Sequence, residues 1–254
     1  MLNIVVPMAG LGSRFSSAGF TDPKPMIPIH GVPMIRWVIA NLTPKFEHRF
    51  IFVAQKRHVE NYNLSKLLQE WSPGSVLVTI DGVTDGAART VLAAKEYFDS
   101  ESPLVIANSD QWVVGDIETF FEKLITRSYD GLIMTMKASD PKWSFVAKDS
   151  RGYVTRVVEK QVISTDATVG IYGFSRGDDF VTAATAMIHN EETVNGEFYV
   201  APCYNIMISR GAKIGCFEVG DESGGMYGLG IPSDLADFEH HELSHNLRKT
   251  LWKS

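Results

Sequence analysis

The sequence is poor in cysteine and contains no long apolar run. Its two cysteines, Cys203 and Cys216, lie 13 residues apart with no C-x-x-C pairing, which is typical of neither a disulfide framework nor a zinc site. We expect both to be reduced, buried thiols. No window approaches the roughly 18 apolar residues of a membrane span. The apolar start, Leu2–Gly10, lacks the basic flank of a secretory signal, so we expect a cytoplasmic protein without a membrane partner.

An excess of positive charge is also absent. The chain of 254 residues carries 30 acidic and 24 basic side chains, for a formal net charge of -6. Because a field of that sign repels polyanions, nucleic acid is not expected as a partner. A small anionic substrate would need a local basic patch. The hydrophobic content of 44% predicts an ordinary globular domain, and a homo-oligomer is compatible with it, so the oligomeric state stays open.

Short, continuous apolar runs alternate with helix-like segments in the first part of the chain. Such runs are typical of buried strands. Their alternation with helices predicts an α/β fold with a Rossmann-like, mostly parallel sheet flanked by helices. The predicted strands are Leu2–Val6, Arg49–Ala54, Val76–Ile80, Leu104–Ala107 and Leu132–Met136, and the predicted helices are Pro33–Leu42, His58–Trp71, Ala87–Tyr97 and Asp116–Arg127.

After Lys137 the pattern changes to a small β-rich lobe followed by further helices. We expect a single domain over residues 1–254, with halves at 1–137 and 138–230 and a C-terminal helix in 231–254. The predicted elements are strands at Ser144–Lys148, Tyr153–Val158, Thr168–Phe174 and Lys213–Val219, and helices at Gly177–His189, near Tyr199–Ser209, and from about Ser233.

The loop after the first strand carries glycines and positive charge. It reads P-M-A-G-L-G-S-R-F from Pro7, and D-P-K-P follows from Asp22. Gly10 and Gly12 let the backbone approach a ligand and direct N–H groups inward, an arrangement that binds phosphate. Position 15 is Phe and no G-K-[ST] follows, so neither a Rossmann fingerprint nor a Walker A loop is formed. A plain glycine turn is the alternative interpretation.

The run Pro7–Ile35 resembles the signature of the sugar-phosphate nucleotidyltransferases of the pyrophosphorylase type: G-x-G-x-R, then P-K-x-x-x-P and G-x-P-M-I. The resemblance implies a Mg²⁺-dependent enzyme that transfers an NMP unit from an NTP to a small phosphorylated acceptor. It also implies that Lys24 stabilises charge at the attacked phosphorus and that Arg14 holds the departing pyrophosphate. The nucleotide-binding positions it implies are Met8, Ala9, Gly10, Gly12, Ser13, Asp81, Gly86 and Ala87.

The segment Asp85–Leu92 resembles the part of this family that borders the nucleobase. There Gly86 lets the backbone read the edge of the base. Asp81 stands where many relatives carry a base-reading Gln, so the base preference is left open. For Asp85, a position near a helix N-terminus is an equally good interpretation.

A buried strand, Leu104–Ala107, is followed by Asn108, Ser109 and Asp110. The carboxyl ends of strands are where open α/β sheets bind ligands, and Mg²⁺ prefers oxygen ligands. Asp110 is therefore the candidate catalytic metal ligand, although a strand-end aspartate can also cap a turn. The D-x-D of many glycosyltransferases is absent because position 112 is Trp.

Five further residues resemble those that face the phosphorylated acceptor in this family. They are Asn108, Glu159, Lys160, Gly170 and Glu197. For Glu159 and Lys160 the alternative is an exposed ion pair at a strand end, which contributes little to stability.

The sequence departs from the family at M-Y-G-L-G-I-P, residues 226–232. Many pyrophosphorylases carry an aspartate, the second metal ligand, where this chain has Gly228, so the second ligand stays unidentified. The Gly-Leu-Gly version resembles relatives encoded with capsule and surface-polysaccharide functions. One such type is a CTP:phosphoglutamine cytidylyltransferase, which leaves CTP or another NTP as donor and sugar-1-phosphate or phosphoglutamine as acceptor.

Two other function classes are alternatives to this one. His241–His245 reads H-E-L-S-H and matches the helical zinc motif of metallohydrolases. A third ligand is required, yet Asn246–Ser254 contains no His, Asp or Glu, so a solvated helix face is the favoured interpretation. A non-catalytic nucleotide-binding module is the other alternative.

Overall fold

A computed structural model describes residues 1–252. Its main feature is a sheet of nine strands with helices on both faces. Alternate residues of the first strand show how the layers form: Leu2, Ile4 and Val6 pack on one face, and Val5 packs on the other. Because both faces are covered, the strands are continuously apolar.

The strands are β1 (Leu2–Pro7), β2 (Pro28–Ile29), β3 (Val32–Pro33), β4 (His48–Gln55), β5 (Val76–Ile80), β6 (Leu104–Ala107), β7 (Gln111–Val113), β8 (Gly131–Lys137), β9 (Ser144–Lys148), β10 (Val154–Glu159), β11 (Asp166–Phe174), β12 (Ile214–Asp221) and β13 (Met226–Gly228).

The α-helices are α1 (Ser13–Ser17), α2 (Met34–Leu42), α3 (Lys56–Tyr62), α4 (Leu64–Trp71), α5 (Ala87–Leu92), α6 (Ile117–Ile125), α7 (Gly177–His189), α8 (Cys203–Ser209), α9 (Pro232–His240) and α10 (Glu242–Leu251), and short 3₁₀ helices lie at Lys24–Met26 and Lys95–Tyr97.

The central sheet has the order β10-β9-β11-β6-β1-β4-β5, and β8 and β12 continue from β11 on its other side. Seven of its nine strands run in one direction, and β10 and β11 run against them. The fold is therefore α/β with a mostly parallel sheet, as expected. The carboxyl ends of β1 and β6 lie side by side because these strands pair in parallel, Val5 with Ile106.

The second half of the chain extends this sheet instead of building a separate one. Strand β11 pairs with β6 through its C-terminal part and meets β9 at Ala167 opposite Phe145. A register shift between Thr168 and Tyr172 separates these two parts. The β-rich region and the opening loop thereby share one sheet edge.

Two small sheets and the C-terminal helices form a third apolar cluster around Trp37, which is fully buried. Strands β13 and β7 pair antiparallel, Tyr227 opposite Trp112. Helices α9 and α10 cover this region through Phe238 and Leu243. No helix within residues 1–252 has the length and apolar character needed to cross a membrane.

Three predicted helices are interrupted. Asn63 adopts a left-handed conformation, with φ of 50°, and separates α3 from α4. The segment Ala87–Tyr97 forms α5 followed by a 3₁₀ turn. The expected single C-terminal helix is two, because His241 is extended and its Nδ1 accepts a hydrogen bond from the Leu243 backbone N–H, capping α10. Both cysteines are free, but Cys216 is only partly buried.

Candidate active site

The opening loop is held against the carboxyl end of the sheet. The Met8 N–H donates to the Val53 carbonyl at 2.9 Å, and the Gln55 side-chain amide donates to the Ala9 carbonyl at 2.6 Å. Gln55 is buried, so this bond fixes the start of the loop. At Gly12 a Cβ would lie only 3.3 Å from the Lys24 Cβ. A glycine therefore allows the two predicted segments of the loop to pack together.

Lys24 and Asp110 meet at the centre of this region. The Lys24 Nζ lies 2.8 Å from the Asp110 Oδ2, and the two side chains are 25% and 19% exposed. Lys24 begins a 3₁₀ turn closed by the Met26 N–H and the Pro23 carbonyl. On the other side, the Leu229 N–H donates to the Asp110 carbonyl at 2.8 Å. Residues 86 positions apart thus bring opposite charges to one point.

The first cavity lies beside this pair and encloses about 500 Å³. Its walls come from the opening loop, the loop before α5, and the segment after β6. It contains Lys24 and Asp110 together with seven of the predicted nucleotide-binding residues: Met8, Ala9, Gly10, Gly12, Ser13, Gly86 and Ala87. The eighth, Asp81, is exposed at the end of β5 and does not line this cavity.

Gly86 has a structural role that the sequence pattern does not reveal. Its φ is 129°, and a Cβ there would lie 2.4 Å from the backbone N and O of Phe198. The neighbouring backbone is bonded across this contact: the Phe198 N–H donates to Asp85 and the Ala88 N–H donates to Phe198. Only glycine permits the segment around Phe198 to close one wall of the first cavity.

The third cavity, of about 310 Å³, holds most of the predicted acceptor residues. Arg14, Asn108, Glu159, Lys160 and Gly170 line it, and three aromatic side chains outside the predicted site residues complete its walls: Trp143, Tyr172 and Tyr199. Glu197, the fifth predicted acceptor residue, lines the first cavity instead of the third.

Glu159 is the partly buried carboxylate of the third cavity. It accepts a hydrogen bond from the Ser144 hydroxyl, and burial raises the pKa of its carboxyl above the usual range. Lys160 is exposed, and its Nζ donates to the Tyr199 hydroxyl. Glu159 and Lys160 do not form a salt bridge in the described part of the chain. The alternative interpretation as an exposed ion pair therefore does not hold.

Gly170 positions Asn108. Its φ is 79°, and a Cβ there would lie 2.2 Å from the Asn108 Nδ2 and 2.7 Å from the Gln111 Oε1. The Asn108 backbone N–H donates to the Gly170 carbonyl at 2.9 Å. The Asn108 side chain can therefore lie over the backbone of β11, where it borders all three cavities.

The second cavity, of about 600 Å³, lies on the other side of Asp110. It is lined by Arg14, Trp143, the glycines of the β13 segment and Asp234. Arg14 borders the second and third cavities and not the first. Both of these cavities meet the first at Asn108, so Arg14 lies next to the first cavity without lining it.

The donor set at Asp110 fits Mg²⁺. Carboxylate oxygen is the ligand type that this ion prefers, and it is often held by only one or two carboxylates plus substrate phosphates. Within residues 1–252 there is no group of three or more His, Cys, Asp or Glu side chains that could hold a metal. The sequence match to a helical zinc motif is not realised: His241 is outside α10 and packs on Tyr227, while His245 packs on His30 with ring centroids 4.4 Å apart.

The sequence profile described as nucleotidyl transferase matches residues 4–196, about three quarters of the chain. This chain belongs to the nucleotidyl transferase family. The matched region contains Lys24, Asp110 and all of the lining of the first cavity except Glu197.

Individual members of the family are more distant. The chain is 26% identical over 262 residues to the bifunctional protein GlmU of Aquifex aeolicus, covering 94% of this chain and 53% of that protein. With GlmU of Methanocaldococcus jannaschii the identity is 24% over 217 residues, covering 77% of this chain and 48% of that protein. The chain therefore spans about half the length of these relatives.

Solved structures share the fold over nearly the whole chain. A nucleoside-diphosphate-sugar pyrophosphorylase from Vibrio cholerae has a TM-score of 0.77 at 25% identity, covering 94% of this chain and 100% of that one. A UDP-glucose pyrophosphorylase crystallised with UDP-glucose has a TM-score of 0.74 at 17% identity, covering 98% and 99%. At 17% identity the second likeness concerns the fold alone.

Proposed function

We propose that this chain transfers the NMP unit of CTP or another NTP to a small phosphorylated acceptor and releases pyrophosphate. The observation that carries the proposal is the Lys24–Asp110 pair, which lies where the first cavity borders the second. The first cavity has the glycine-lined loop that suits a triphosphate. The second and third cavities have room for an acceptor on the other side of Asp110.

In the proposed reaction an acceptor phosphate oxygen attacks the α-phosphorus of the NTP. A new P–O bond forms as the bond between the α-phosphorus and the bridging oxygen breaks, and the electron pair leaves with pyrophosphate. Proton transfer contributes little, because a phosphate is already anionic at neutral pH. Positioning and charge stabilisation therefore supply most of the catalysis.

Each part of the site has a proposed task. Lys24 directs its ammonium group at the charge that develops on the phosphoryl oxygens. Asp110 would hold a Mg²⁺ ion, which when bound supplies positive charge to the triphosphate. Arg14, on the side of the second and third cavities, is assigned to the acceptor phosphate. The opening loop binds the triphosphate through its backbone N–H groups.

The charged side chains that line the third cavity favour an acceptor that carries both a positive and a negative group. Glu159 offers a partly buried carboxylate, and Lys142 and Lys160 offer ammonium groups. A phosphorylated amino acid such as phosphoglutamine carries the complementary ammonium and carboxylate groups. A sugar-1-phosphate, whose hydroxyls can bond to Glu159, is the second acceptor class that this lining accommodates. We further propose that the reaction serves capsule or surface-polysaccharide synthesis in the cytoplasm.

The test is a matrix of four NTPs against sugar-1-phosphates and phosphorylated amino acids or alcohols, with Mg²⁺ present and pyrophosphate measured. One pair is expected to release pyrophosphate in proportion to acceptor. Lys24→Ala should lower kcat/KM at least a hundredfold, or about 2.7 kcal/mol of transition-state stabilisation. Lys66→Ala, an exposed lysine on α4, is the matched control and should retain wild-type activity.

Two results would contradict the proposal. The first is the absence of pyrophosphate release with every donor and acceptor, which would favour a nucleotide-binding module without catalysis. The second is a loss below threefold in Lys24→Ala, which would remove the assigned role of that lysine.

A further inference from the structure

The turn between β2 and β3 follows Lys24 closely in the chain and is formed by His30 and Gly31. Both residues have a positive φ, 48° at His30 and 77° at Gly31, which is the combination found in two-residue hairpin turns of type I′. Glycine adopts this conformation freely, whereas a residue with a side chain does so only at a cost. Because such a conformation persists where neighbouring groups hold it, the partners of His30 are informative.

Side chains of the two C-terminal helices hold His30 through both of its backbone polar groups. The His30 N–H donates to the Glu239 Oε1 of α9 at 3.1 Å, and the His30 carbonyl accepts from the Arg248 Nε of α10 at 3.3 Å. The His30 Nε2 also lies 2.8 Å from the hydroxyl of Ser244, which is fully buried. These partners lie more than 200 positions away in the sequence, so the C-terminal helices fix a turn near the start of the chain.

The H-E-L-S-H segment, which matches a zinc motif in sequence only, contributes to the same contact. Its first histidine, His241, caps α10 through Nδ1. Ser244 bonds to the His30 ring, and the ring centroid of His245 lies 4.4 Å from that of His30. The side chains of this segment thus begin α10 and dock it on the β2–β3 turn.

A short, buried segment connects this turn to Lys24. The Ile27 N–H donates to the Lys24 carbonyl at 3.2 Å, and the Met34 N–H donates to the Ile27 carbonyl at 2.9 Å. Ile27 and Ile29 are buried and share the third apolar cluster with Leu235 of α9. Because both its backbone and its side chains are held, this segment transmits a displacement of the turn to Lys24.

We propose that Glu239 and Arg248 are positioning residues for Lys24. They fix the His30 turn, and the buried segment passes that constraint to the lysine. The inference rests on the proposed function, in which Lys24 stabilises charge on the phosphoryl group. Neither Glu239 nor Arg248 lines any of the three cavities of the site, so an effect on the reaction must pass through the protein. A misplacement of about 1 Å can cost about a hundredfold in rate, which makes such support consequential.

The first test is steady-state kinetics with the NTP and acceptor that release pyrophosphate. Glu239→Ala and Arg248→Ala are expected to lower kcat at least tenfold and to change each KM less than threefold, because the residues that line the cavities are unaltered. Glu239→Gln keeps an oxygen that accepts from the His30 N–H and should retain at least half of the wild-type kcat. The matched controls are Asp237→Ala and Lys249→Ala, exposed residues of the same two helices, which should behave like wild type.

A general loss of folded enzyme would also lower kcat, and a double-variant cycle separates the two explanations. If Glu239 acts through Lys24, Glu239→Ala should cause less than a twofold further loss in a Lys24→Ala background. A tenfold loss in both backgrounds would overturn the inference, as would wild-type kcat in both alanine variants. If Glu239→Ala does not fold, Arg248→Ala carries the same expectations.

A second measurement does not depend on turnover. The lysines are dimethylated with ¹³C-formaldehyde, and the NMR signal of Lys24 is identified by its absence in Lys24→Ala. Because the Lys24 Nζ lies 2.8 Å from the Asp110 Oδ2, this signal should differ from those of exposed lysines. It should move towards them in Glu239→Ala and stay in place in Asp237→Ala.

An unmoved Lys24 signal in folded Glu239→Ala would overturn the inference. Failure of the proposed function has a different appearance: the wild type releases no pyrophosphate with any NTP, while the Lys24 signal still moves in Glu239→Ala.

Discussion

Gly86→Ala is predicted to destabilise the protein strongly. The φ of 129° at Gly86 belongs to a region that other residues occupy at a cost of about 1–3 kcal/mol. The added Cβ would also lie 2.4 Å from two backbone atoms of Phe198, so this segment must move. Its hydrogen bonds to Asp85 and Ala88 contribute about 1 kcal/mol each.

These contributions sum to roughly 3–5 kcal/mol in the free energy of unfolding. For a chain of this length each 1 kcal/mol shifts Tm by about 2–4 °C. The expected decrease in Tm is therefore about 6–20 °C. Urea unfolding followed by circular dichroism measures the free energy, and differential scanning calorimetry measures Tm.

Gly82→Ala is the matched control from the same loop. Gly82 has no positive φ, and a Cβ there meets no atom within 4 Å. Its substitution should change the free energy of unfolding by less than about 0.5 kcal/mol. The reasoning is refuted if Gly86→Ala and Gly82→Ala differ by less than 1 kcal/mol, because the contact with Phe198 would then carry no cost.

Three further predictions concern the space beside Asp110 and the protonation of Glu159 and His30. Gly230→Ala should lower kcat/KM at least tenfold, since its Cβ displaces the Asp110 carboxylate from 2.6 Å; unchanged steady-state kinetics would contradict this. Burial raises the pKa of Glu159, so the folded state holds that proton more tightly and stability is lost as pH rises through the folded pKa. Glu159→Gln should accordingly be more stable to urea than wild type at pH 8 and equal near pH 4, and a pH-independent difference would refute it. Burial and then His245 lower the pKa of His30 below 6.5, so stability present above that pH is lost as the pH falls through the lowered pKa, and α10 should loosen on the acid side of pH 6.5. Tryptophan fluorescence measured against pH should show this change in the wild type and no such change in His30→Gln. If the change persists in the variant, groups other than His30 cause it.

The opening loop was predictable because its chemistry is local. Two glycines, an arginine and a lysine between prolines lie within 20 residues and predict a phosphate-binding loop, and Asp110 follows a strand whose burial is evident from its composition. The parallel pairing of β1 with β6 then brings both to one edge of the sheet. Strand direction brings Asp110 beside the start of the opening loop, and the close packing of Lys24 against Gly12 brings the lysine to the same place.

Residues contributed by the tertiary fold were not predictable. Asp234 and Trp143 belong to no motif, and they reach the site only because α9 and the β8–β9 connection fold over the same edge. Asp81 was assigned by its spacing from Gly86, yet the chain turns away after β5 and leaves it exposed. Glu197 lines the first cavity, because the contact of Phe198 with Gly86 holds that segment beside it.

The pairing of β13 with β7 has an implication for how such a protein can diversify. The region matched by the family profile ends at residue 196, but Gly228, Gly230 and Asp234 come later and still form a wall of the second cavity. Residues within the matched region supply most of the first cavity, whereas residues beyond it supply one wall of the second. Substitutions in residues 226–234 can therefore reshape the second cavity without changing any residue of the matched region.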